Sequence, residues 1–585
     1  MPTIEVNRTD LESLLGEPLD ESRLLSLLPL VKGEIKEWDE RDLKIELNDS
    51  NRPDLWSPEG IARQIRIHRS GGAARQIRIH SKGRLQTAPY PFFTQEAAQK
   101  ITVSKSVSAI RPYLGGFLVR GLTISEQVLT QLIQSQEKLA DIFGQKRKTV
   151  SIGLYPLHKI TFPVRYDTAD PETTAFIPLG TDRKMSLSEI LKEHPKGIAF
   201  AGILKGHVNY PILIDANDQI LSFPPIINSR GTGEVKVSDT DLLVEVTGTN
   251  LRMVMLAVNI FACNLFDRGG IIEPLIIEFP EETNFGTTVK MPYAEGIKPF
   301  SKTVQVALIQ FEKGLGEAIS LDTAQRFLVS YGYNVSTEER SLTVQLPPYR
   351  DDLMHPVDVV EDFAISRGYE TFVPTLPSQA TIGSQSASSR QSARLVSAMI
   401  GFGFEEVISN LLSSHEEQSD WMGKPNHVNR PEGRIVAIEN PMTERYAVPR
   451  SWILPSLLRV EGKSSKAYYP HRLFEVGEVV RLNPSGKGCE TALHLAGVIA
   501  YAEAKFSDLH AVVFTLFHTL GFAVKMQSFD HPTFIEGRAG ALFIDKGGVA
   551  IEIGMIGEVH PEVLTRWEIG VPTVAFEIEV GALGH

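Results

Sequence analysis

The stretch PPYRDDLMHPVDVVEDFAISRGYE, residues 347–370, decides the fold of its region because it contains a helix start and a helix stop. Pro356 suits a first helical position, since its missing N–H would be unsatisfied there in any case. Gly368 is a typical residue for ending a helix. The stretch therefore predicts a helix over residues 356–367, after the extended run LTVQLPPY.

Four acidic residues of this stretch form a candidate metal site. Asp358, Glu361 and Asp362 are spaced i, i+3 and i+4, so they project from one helix face, and Asp352 lies just upstream. Three or four carboxylates in one place suit a hard divalent ion, most naturally Mg²⁺. The alternative needs no metal, because acids in the first turns of a helix are stabilised by the positive end of its macrodipole. Spacing alone leaves both interpretations open.

An internal repeat relates this region to the N-terminus. IEVNRTDLESLLGE, from Ile4, matches VQVALIQFEKGLGE, from Val304, and indicates two copies of one small α/β module. After a small deletion the copies align Arg52 with Arg350, Asp54 with Asp352, Leu55 with Leu353 and Pro58 with Pro356. Where the second copy has its helix acids, the first has Gly60, Arg63 and Gln64. The helix acids are therefore not required by the fold, whereas Asp352 has a counterpart.

Length and composition indicate a multidomain α+β protein of ordinary globular character. The chain has 585 residues, of which 42% are apolar and 22% charged. A net charge of −12 argues against a free-standing nucleic-acid binder. Two distant cysteines, Cys263 and Cys489, exclude a disulfide framework and fit a reducing cytoplasm. The start MPTIEVNRTD does not resemble a signal peptide, and the longest apolar stretch, residues 253–266, is too short to cross a membrane.

Composition shifts predict four parts. These are an N-terminal module with an insertion (1–85), an α/β domain (86–285), a linker with the second module copy (286–378) and an antiparallel α+β domain (379–585). The insertion, around residues 68–85, is Arg-rich and contains the second copy of ARQIRIH, which occurs at residues 62–68 and again at 74–80. We expect IAFAGIL, residues 198–204, to be a strand and residues 286–300 to be the linker. GQKRKT, residues 144–149, suits either a phosphate backbone or a solvated loop.

Common catalytic signatures are absent from the sequence. EGKSSK ends like a phosphate-binding loop, but Leu457 stands where the first glycine should be. No HExxH zinc motif and no GxSxG nucleophile elbow occur. Residue types alone therefore name no reaction.

Seven stretches, in order along the chain, resemble one family, the beta subunits of phenylalanyl-tRNA synthetase in their archaeal and eukaryotic cytosolic form. They are NDSNRPDLWSPEGIAR, LSFPPIINS, LLVEVTGTN, PPYRDDLMHPVDVVEDFAISRGY, ENPMTERYAVPRSWILPSLL, HRLFEVGEVV and MIGEVHPEVL. The resemblance implies an assembly of two alpha and two beta subunits that joins phenylalanine to tRNA(Phe) with ATP and Mg²⁺. It places that active site on the alpha subunit.

For the C-terminal part, the resemblance implies a catalytic-like domain of the class II synthetase fold that has lost its chemistry. Arg472 and Glu475 in HRLFE match only poorly the arginine and acid that bind ATP in such domains. We expect an interface module instead, with apolar faces that include Trp452, Ile453, Leu454 and Leu457.

For residues 86–285, the resemblance implies a domain that edits mischarged tRNA. A pocket shaped for phenylalanine rejects tyrosine by only about a hundredfold, so a second site that hydrolyses tyrosyl-tRNA(Phe) is needed. Matching the family places four residues in this pocket: Leu213, Ser222, Glu245 and Thr247. Glu245 would accept the phenol proton and Leu213 would pack on the ring, while the other two would orient substrate or water. Alternatively, Glu245 and Thr247 are ordinary residues of one strand face, and the subunit is a tRNA-binding scaffold with an inactive pocket.

The resemblance also favours the metal interpretation of the acid cluster. It implies a structural Mg²⁺ bound by Asp352, Asp358, Glu361 and Asp362. Asp362 stands where the family often has glutamate, and its shorter side chain makes it the weakest of the four ligands.

Overall fold

A computed structural model gives the fold. It describes residues 2–583 except 40, 73–78, 82–83, 87–91, 93–94, 294–302, 424–434, 465 and 484–487. The chain divides into two compact units, Met1–Thr375 and Leu376–His585. Most of the second ARQIRIH copy falls outside the described residues, whereas the first copy, residues 62–68, lies in a largely buried helix.

The N-terminal module is a three-stranded sheet with three helices. Its elements are β1 (Thr3–Asn7), α1 (Arg8–Leu15), α2 (Glu21–Leu27), β2 (Gly33–Trp38), β3 (Asp42–Leu47) and α3 (Pro58–Arg69). The strands pair in the order β1-β3-β2. Asn7 caps α1, and Gly16, at φ 75°, ends it because glycine adopts the left-handed conformation without steric cost. Ser57 caps α3 ahead of Pro58, as predicted.

The middle region is built on one large sheet. The strands of the region, after the short hairpin β4 (Ile79–Ser81) and β5 (Arg84–Gln86), are β6 (Gln99–Val103), β7 (Tyr113–Arg120), β8 (Val150–Pro156), β9 (Val164–Ala169), β10 (Ala175–Phe176), β11 (Met185–Ser186), β12 (Tyr210–Ile214), β13 (Ile220–Phe223), β14 (Ile227–Asn228), β15 (Leu242–Gly248), β16 (Ile271–Thr283) and β17 (Gly286–Met291). Of these, β10 and β11 pair with each other and lie outside the large sheet. Its helices are α4 (Glu126–Lys138), α5 (Leu187–Glu193), α6 (Pro195–Phe200), α7 (Arg230–Gly233) and α8 (Leu251–Asp267).

This sheet curls so that its two ends meet. The strands pair in the order β14-β13-β12-β9-β6-β16-β7-β15-β8, and β17 pairs with β16. Tyr155 on β8 nevertheless contacts Ser222 on β13, at the other end of that order. The apolar helix α8, capped by Asn250, packs against β7 and β15 and covers that part of the sheet.

Two secondary-structure predictions in this region are wrong. IAFAGIL, residues 198–204, is helical, because His194 caps α6 and Pro195 occupies its first position. A short apolar run does not by itself separate strand from helix. Part of the expected linker, residues 286–291, is strand β17, whose Val289 and Met291 are buried against the sheet.

The second module repeats the first. Its elements are β18 (Thr303–Ala307), α9 (Leu308–Leu315), α10 (Leu321–Ser330), β19 (Asn334–Glu338), β20 (Ser341–Gln345) and α11 (Pro356–Arg367). The strand order is β18-β20-β19, and Gly316, at φ 76°, ends α9 as Gly16 ends α1. Helix α11 has the predicted bounds. The copies also contact each other, since Gln64 Nε2 donates to the Tyr331 carbonyl at 3.2 Å.

The C-terminal unit is an α+β domain on a seven-stranded sheet. Its elements are α12 (Ala387–Gly401), β21 (Glu405–Glu406), β22 (Leu412–Ser413), β23 (Val448–Pro449), α13 (Leu454–Lys463), β24 (His471–Leu482), β25 (Cys489–Ala500), α14 (Phe506–Thr519), β26 (Val524–Ser528), β27 (Phe534–Lys546), β28 (Val549–Val559), α15 (Pro561–Arg566) and β29 (Thr573–Glu579). The order is β21-β24-β25-β29-β28-β27-β26. All neighbours are antiparallel except β21 and β24, so the predicted antiparallel class is right for the body of the sheet.

The predicted apolar interface of this unit is not formed by the four residues that the sequence suggested for it. Its proposed members are at most 1% exposed and form one core cluster: Trp452, Ile453, Leu454 and Leu457. These four side chains stabilise the unit from within and are not available to contact a partner. Elsewhere, none of the helices in the described part of the chain has the length and apolar content needed to span a bilayer.

Candidate active site

The site is built where β8 and β15 run antiparallel. In the register of these strands Glu245 lies opposite Gly153, and on its other side it lies opposite Gly116 of β7. A Cβ on Gly153 would lie 2.7 Å from Glu245 Oε2, so the glycine leaves the space that the carboxylate occupies. Alternation along β8 places Ser151 and Tyr155 on the same face.

The two carboxylate oxygens of Glu245 differ in their contacts. Oε2 accepts a hydrogen bond of 2.9 Å from the Tyr155 hydroxyl, which also lies 2.8 Å from Ser222 Oγ. Oε1 is buried and has no hydrogen-bond partner among the described residues. A buried acceptor without a donor costs free energy, so Oε1 favours a ligand that brings a donor.

Burial also sets the protonation of this carboxyl. It raises the pKa of Glu245 to about 7, while hydrogen bonding from Tyr155, the charge of Arg111 and the nearby Thr247 hydroxyl limit the rise. Burial and the charge of Glu245 raise the pKa of Tyr155 well above its usual value, so Tyr155 remains a donor. A glutamate that titrates near neutral pH is typical of functional sites.

Glu245 lines a cavity of about 230 Å³. Apolar walls are contributed by Leu129, Ile133, Ile152, Leu154, Phe223 and Ile226. Three of the polar lining residues, Ser151, Ser222 and Glu245, are buried, whereas Lys196 is partly exposed. Apolar walls with a few fixed polar groups are the usual form of a small-molecule site.

The structure brings Ser222 to this cavity but not Leu213. The two residues lie opposite each other on β13 and β12, and both are buried. Opposed residues share one face of a sheet, so Leu213 packs beside Ser222 within the core. Leu213 is not part of the cavity lining, and its contact with a substrate ring stays a prediction.

Thr247 is buried and is not among the residues that line the cavity, and the buried Arg111 binds its hydroxyl. Arg111 Nε donates to Thr247 Oγ1 at 2.9 Å, and Nη2 donates to Ser151 Oγ at 3.0 Å. Nη1 donates to the carbonyls of Arg147 and Lys148, each at 3.0 Å. Burial lowers the pKa of Arg111 to about 10, although nearby Glu245 opposes this. The role of Thr247 in orienting substrate or water stays a prediction.

The basic cluster at residues 144–149 contributes one side chain, that of Arg147, to the cavity lining. Three consecutive residues adopt left-handed backbone angles: Gln145, Lys146 and Arg147. The Arg147 guanidinium lines the cavity, donates to the Ile226 carbonyl at 3.0 Å and lies 4.4 Å from the Phe200 ring centroid. Contact of this cluster with a phosphate backbone stays a prediction.

The predicted metal ligands bind other groups of the protein. The Arg350 guanidinium donates to both oxygens of Asp352, at 3.0 and 2.6 Å, and to Asp362 at 2.7 Å. The Tyr333 hydroxyl donates to the same Asp362 oxygen at 2.5 Å. Burial disfavours the charge on Asp352, but Arg350 outweighs burial and lowers the pKa of Asp352 to about 2.

The other two acids point to separate partners. Asp358 accepts from the backbone N–H groups of Met354 and His355, each at 2.7 Å, and so caps α11. Glu361 pairs with Lys32 at 2.7 Å. Across the described ranges, no three or more His, Cys, Asp or Glu side chains gather in a way that could hold a metal ion.

The first module explains this arrangement. Arg52 donates to both oxygens of Asp54, at 2.9 and 2.8 Å, and to Gln64 Oε1 at 3.2 Å. Arg350, Asp352 and Asp362 repeat that geometry, with an acid in place of the glutamine. The arginine and the first aspartate therefore belong to the module fold, and the residues as placed do not fit a magnesium ion.

Sequence reasoning missed three residues of the site. Tyr155 and Gly153 lie in SIGLYP, where their alternate positions on one strand could have indicated a shared face with Glu245. Arg111 lies in a loop, and the sequence carried no signal that it would be buried. Only the closing of the sheet brings these groups together.

Comparison with known proteins decides the family. The chain is 38% identical over 594 residues to the phenylalanine–tRNA ligase beta subunit of Borrelia hermsii, and the match covers 100% of both chains. It is likewise 38% identical over 588 residues to the corresponding subunit of Borrelia turicatae. The chain belongs to the phenylalanine–tRNA ligase beta subunit family.

Domain and structure comparisons agree with this membership. Residues 304–369 match the tRNA synthetase B5 domain, and residues 373–580 match the phenylalanyl tRNA synthetase beta chain CLM domain. An N-terminal fragment of the phenylalanyl-tRNA synthetase beta subunit from Pyrococcus horikoshii is 32% identical, with a TM-score of 0.56. That match covers 63% of this chain and 100% of the fragment. The chain is therefore a ligase subunit.

In this beta subunit the two residues that resemble part of a class II ATP site, Arg472 and Glu475, do not lie together. Arg472 and Glu475 are three residues apart on β24, so they project from opposite faces. Arg472 donates to the Phe402 carbonyl, whereas Glu475 is buried against Arg450 at 2.7 Å. Neither residue is placed to bind ATP with the other.

Proposed function

We propose that the cavity at Glu245 hydrolyses tyrosyl-tRNA(Phe) and so edits the product of the ligase. The single observation that carries the proposal is Oε1 of Glu245, which has no hydrogen-bond partner among the described residues and lies buried on the lining of a cavity with mostly apolar walls. An aromatic ring fits apolar walls, and a phenol supplies the donor that Oε1 lacks.

The chemistry of discrimination favours this site. Phenylalanine would leave Oε1 buried and unpaired, whereas tyrosine would satisfy it, so the cavity selects the wrong amino acid for destruction. Hydrolysis adds water across the ester between tyrosine and the terminal ribose, which releases tyrosine and free tRNA. We assign phenol recognition to Glu245, and orientation of substrate or water to Ser222 and Thr247.

Deacylation of pre-charged tyrosyl-tRNA(Phe) by the complex with the alpha subunit tests the proposal. Glu245→Ala should lower kcat/KM roughly ten- to hundredfold, because a hydrogen bond to a charged group is lost. Glu278→Ala is the matched control, since this glutamate is partly exposed on β16, where it pairs with Lys100 at 3.1 Å. Unchanged deacylation by Glu245→Ala would contradict the assignment.

A tRNA-binding scaffold with an inactive pocket is the rival function. It predicts no hydrolysis by the wild-type complex above the spontaneous rate. The internal contacts of Thr247 with Arg111 are compatible with this rival, because they leave the threonine hydroxyl engaged. The wild-type rate therefore separates the two functions directly.

For aminoacylation we propose that the alpha subunit binds ATP and phenylalanine, in a cytoplasmic assembly of two alpha and two beta subunits that charges tRNA(Phe). The separation of Arg472 from Glu475 supports the absence of that activity here. The similarity to the Pyrococcus fragment supports the archaeal and eukaryotic form, although the Borrelia relatives are more similar in sequence. Magnesium at the acid cluster remains a prediction that no contact of the described residues supports.

A further inference from the structure

Tyr155 is the point at which the two ends of the curled sheet meet in the cavity wall. Its hydroxyl lies 2.9 Å from Glu245 Oε2 on β15, 2.8 Å from Ser222 Oγ on β13 and 3.4 Å from Asn228 Oδ1 on β14. The side chain is fully buried. One phenol thus joins the carboxylate of the site to both strands on the opposite side.

The contact fixes which carboxylate oxygen faces a ligand. Tyr155 occupies Oε2 of Glu245, so only Oε1 is left without a donor. A carboxylate with two free oxygens could rotate and satisfy a phenol in several orientations. A carboxylate held on one side presents a single acceptor in a single direction.

We infer that Tyr155 is a positioning residue for tyrosine recognition: its hydroxyl holds Glu245 Oε2 so that Oε1 alone receives the phenol of the substrate. This inference rests on the proposed editing function. It extends that function by naming a side chain that acts through Glu245 and does not itself touch the substrate.

Gly153 is the second element of the arrangement. A Cβ at this position would contact the Tyr155 hydroxyl and would lie 2.7 Å from Glu245 Oε2. Both groups belong to buried side chains, so neither can move into solvent to relieve the clash. Gly153→Ala should therefore disturb the Tyr155–Glu245 contact without removing a polar atom.

The charged and titratable groups around Glu245 make the contact measurable. Arg111 precedes β7 and Tyr166 lies on β9, and both interact with Glu245 electrostatically. Burial raises the pKa of Glu245, and the hydrogen bond from Tyr155 opposes that rise. Removing the Tyr155 hydroxyl should raise this pKa further, because the charged form loses a donor.

The test compares wild type, Tyr155→Phe, Gly153→Ala and Glu245→Ala in the complex with the alpha subunit. The readouts are kcat and KM for deacylation of tyrosyl-tRNA(Phe) across pH, with phenylalanyl-tRNA(Phe) as the competing substrate. Tyr331→Phe is the matched control, since its hydroxyl is equally buried but donates to the Leu30 carbonyl, away from the cavity.

We expect Tyr155→Phe and Gly153→Ala to lower kcat/KM for tyrosyl-tRNA about tenfold and to reduce discrimination against phenylalanyl-tRNA. Tyr155→Phe should also move the pH midpoint upward, which a merely structural loss would not do. Faster deacylation by Tyr155→Phe would show that Tyr155 blocks the pocket, and an unchanged rate with an unchanged midpoint would show that it positions nothing. Both results overturn the inference, whereas an inactive wild type overturns the editing function itself.

Discussion

Glu245 and Asp352 are carboxylates of the same unit with opposite surroundings. Glu245 accepts a hydrogen bond from a phenol on one oxygen and has no hydrogen-bond partner among the described residues on the other, and burial raises its pKa to about 7. Asp352 has a guanidinium on both oxygens, and Arg350 lowers its pKa to about 2 against the effect of burial. Acids that are paired internally therefore serve the fold, whereas an acid with an open acceptor is the candidate for binding.

The largest expected effect comes from removing the guanidinium at the paired site. Arg350→Met should destabilise the protein by about 3–5 kcal/mol, because Asp352 and Asp362 would remain nearly buried without their cation. Urea unfolding followed by circular dichroism measures the change. Arg52→Met is the matched control and should cost less, since Arg52 pairs with one carboxylate and a neutral Gln64. Equal losses of stability in the two variants would contradict the assignment of a second carboxylate partner to Arg350.

A pH-dependent stability difference is the next largest effect, and it belongs to the open site. The folded pKa of Glu245, about 7, lies above its ordinary value of 4.5. Its contribution to stability is therefore fully present below about pH 4.5 and is lost as pH rises through about 7. Glu245→Gln cannot ionise, so its stability relative to wild type should rise by about 2.5 kcal/mol between pH 5 and pH 8. A pH-independent difference in urea unfolding would contradict the raised pKa.

The contrast between these sites also shows what the sequence could and could not predict. The bounds of α11 followed from Pro356 and Gly368, because caps are local signals. The strand at residues 242–248 followed from its own pattern. The contact of Tyr155 with Ser222 did not, because it joins strands at opposite ends of a curled sheet. Likewise, spacing placed three acids on one helix face but could not show that Arg350 reaches across to two of the four predicted ligands.

A smaller effect is expected from converting the second module into the first. Asp362→Gln would reproduce the Arg52–Asp54–Gln64 geometry, in which a neutral acceptor completes the contacts of the arginine. Asp352 would still pair with Arg350, so the change should cost less than about 1 kcal/mol. The same urea unfolding measures it, with Asp352→Asn as the control that removes the charge common to both modules. A loss of stability as large as that of Arg350→Met would mean that Asp362 stabilises the protein through more than its pairing with Arg350.

The smallest effect is expected from magnesium. Arg350 already neutralises Asp352 and Asp362, Asp358 is bound to backbone N–H groups, and Glu361 pairs with Lys32. A divalent ion would have to displace these contacts, so adding Mg²⁺ or a chelator should leave the Tm of the isolated subunit unchanged. Arg350→Met is the more sensitive variant for this test. It frees two carboxylates, so its stability should respond to Mg²⁺. If chelation lowered the Tm of the wild type, the ion would displace these contacts. The acid cluster would then be a metal site.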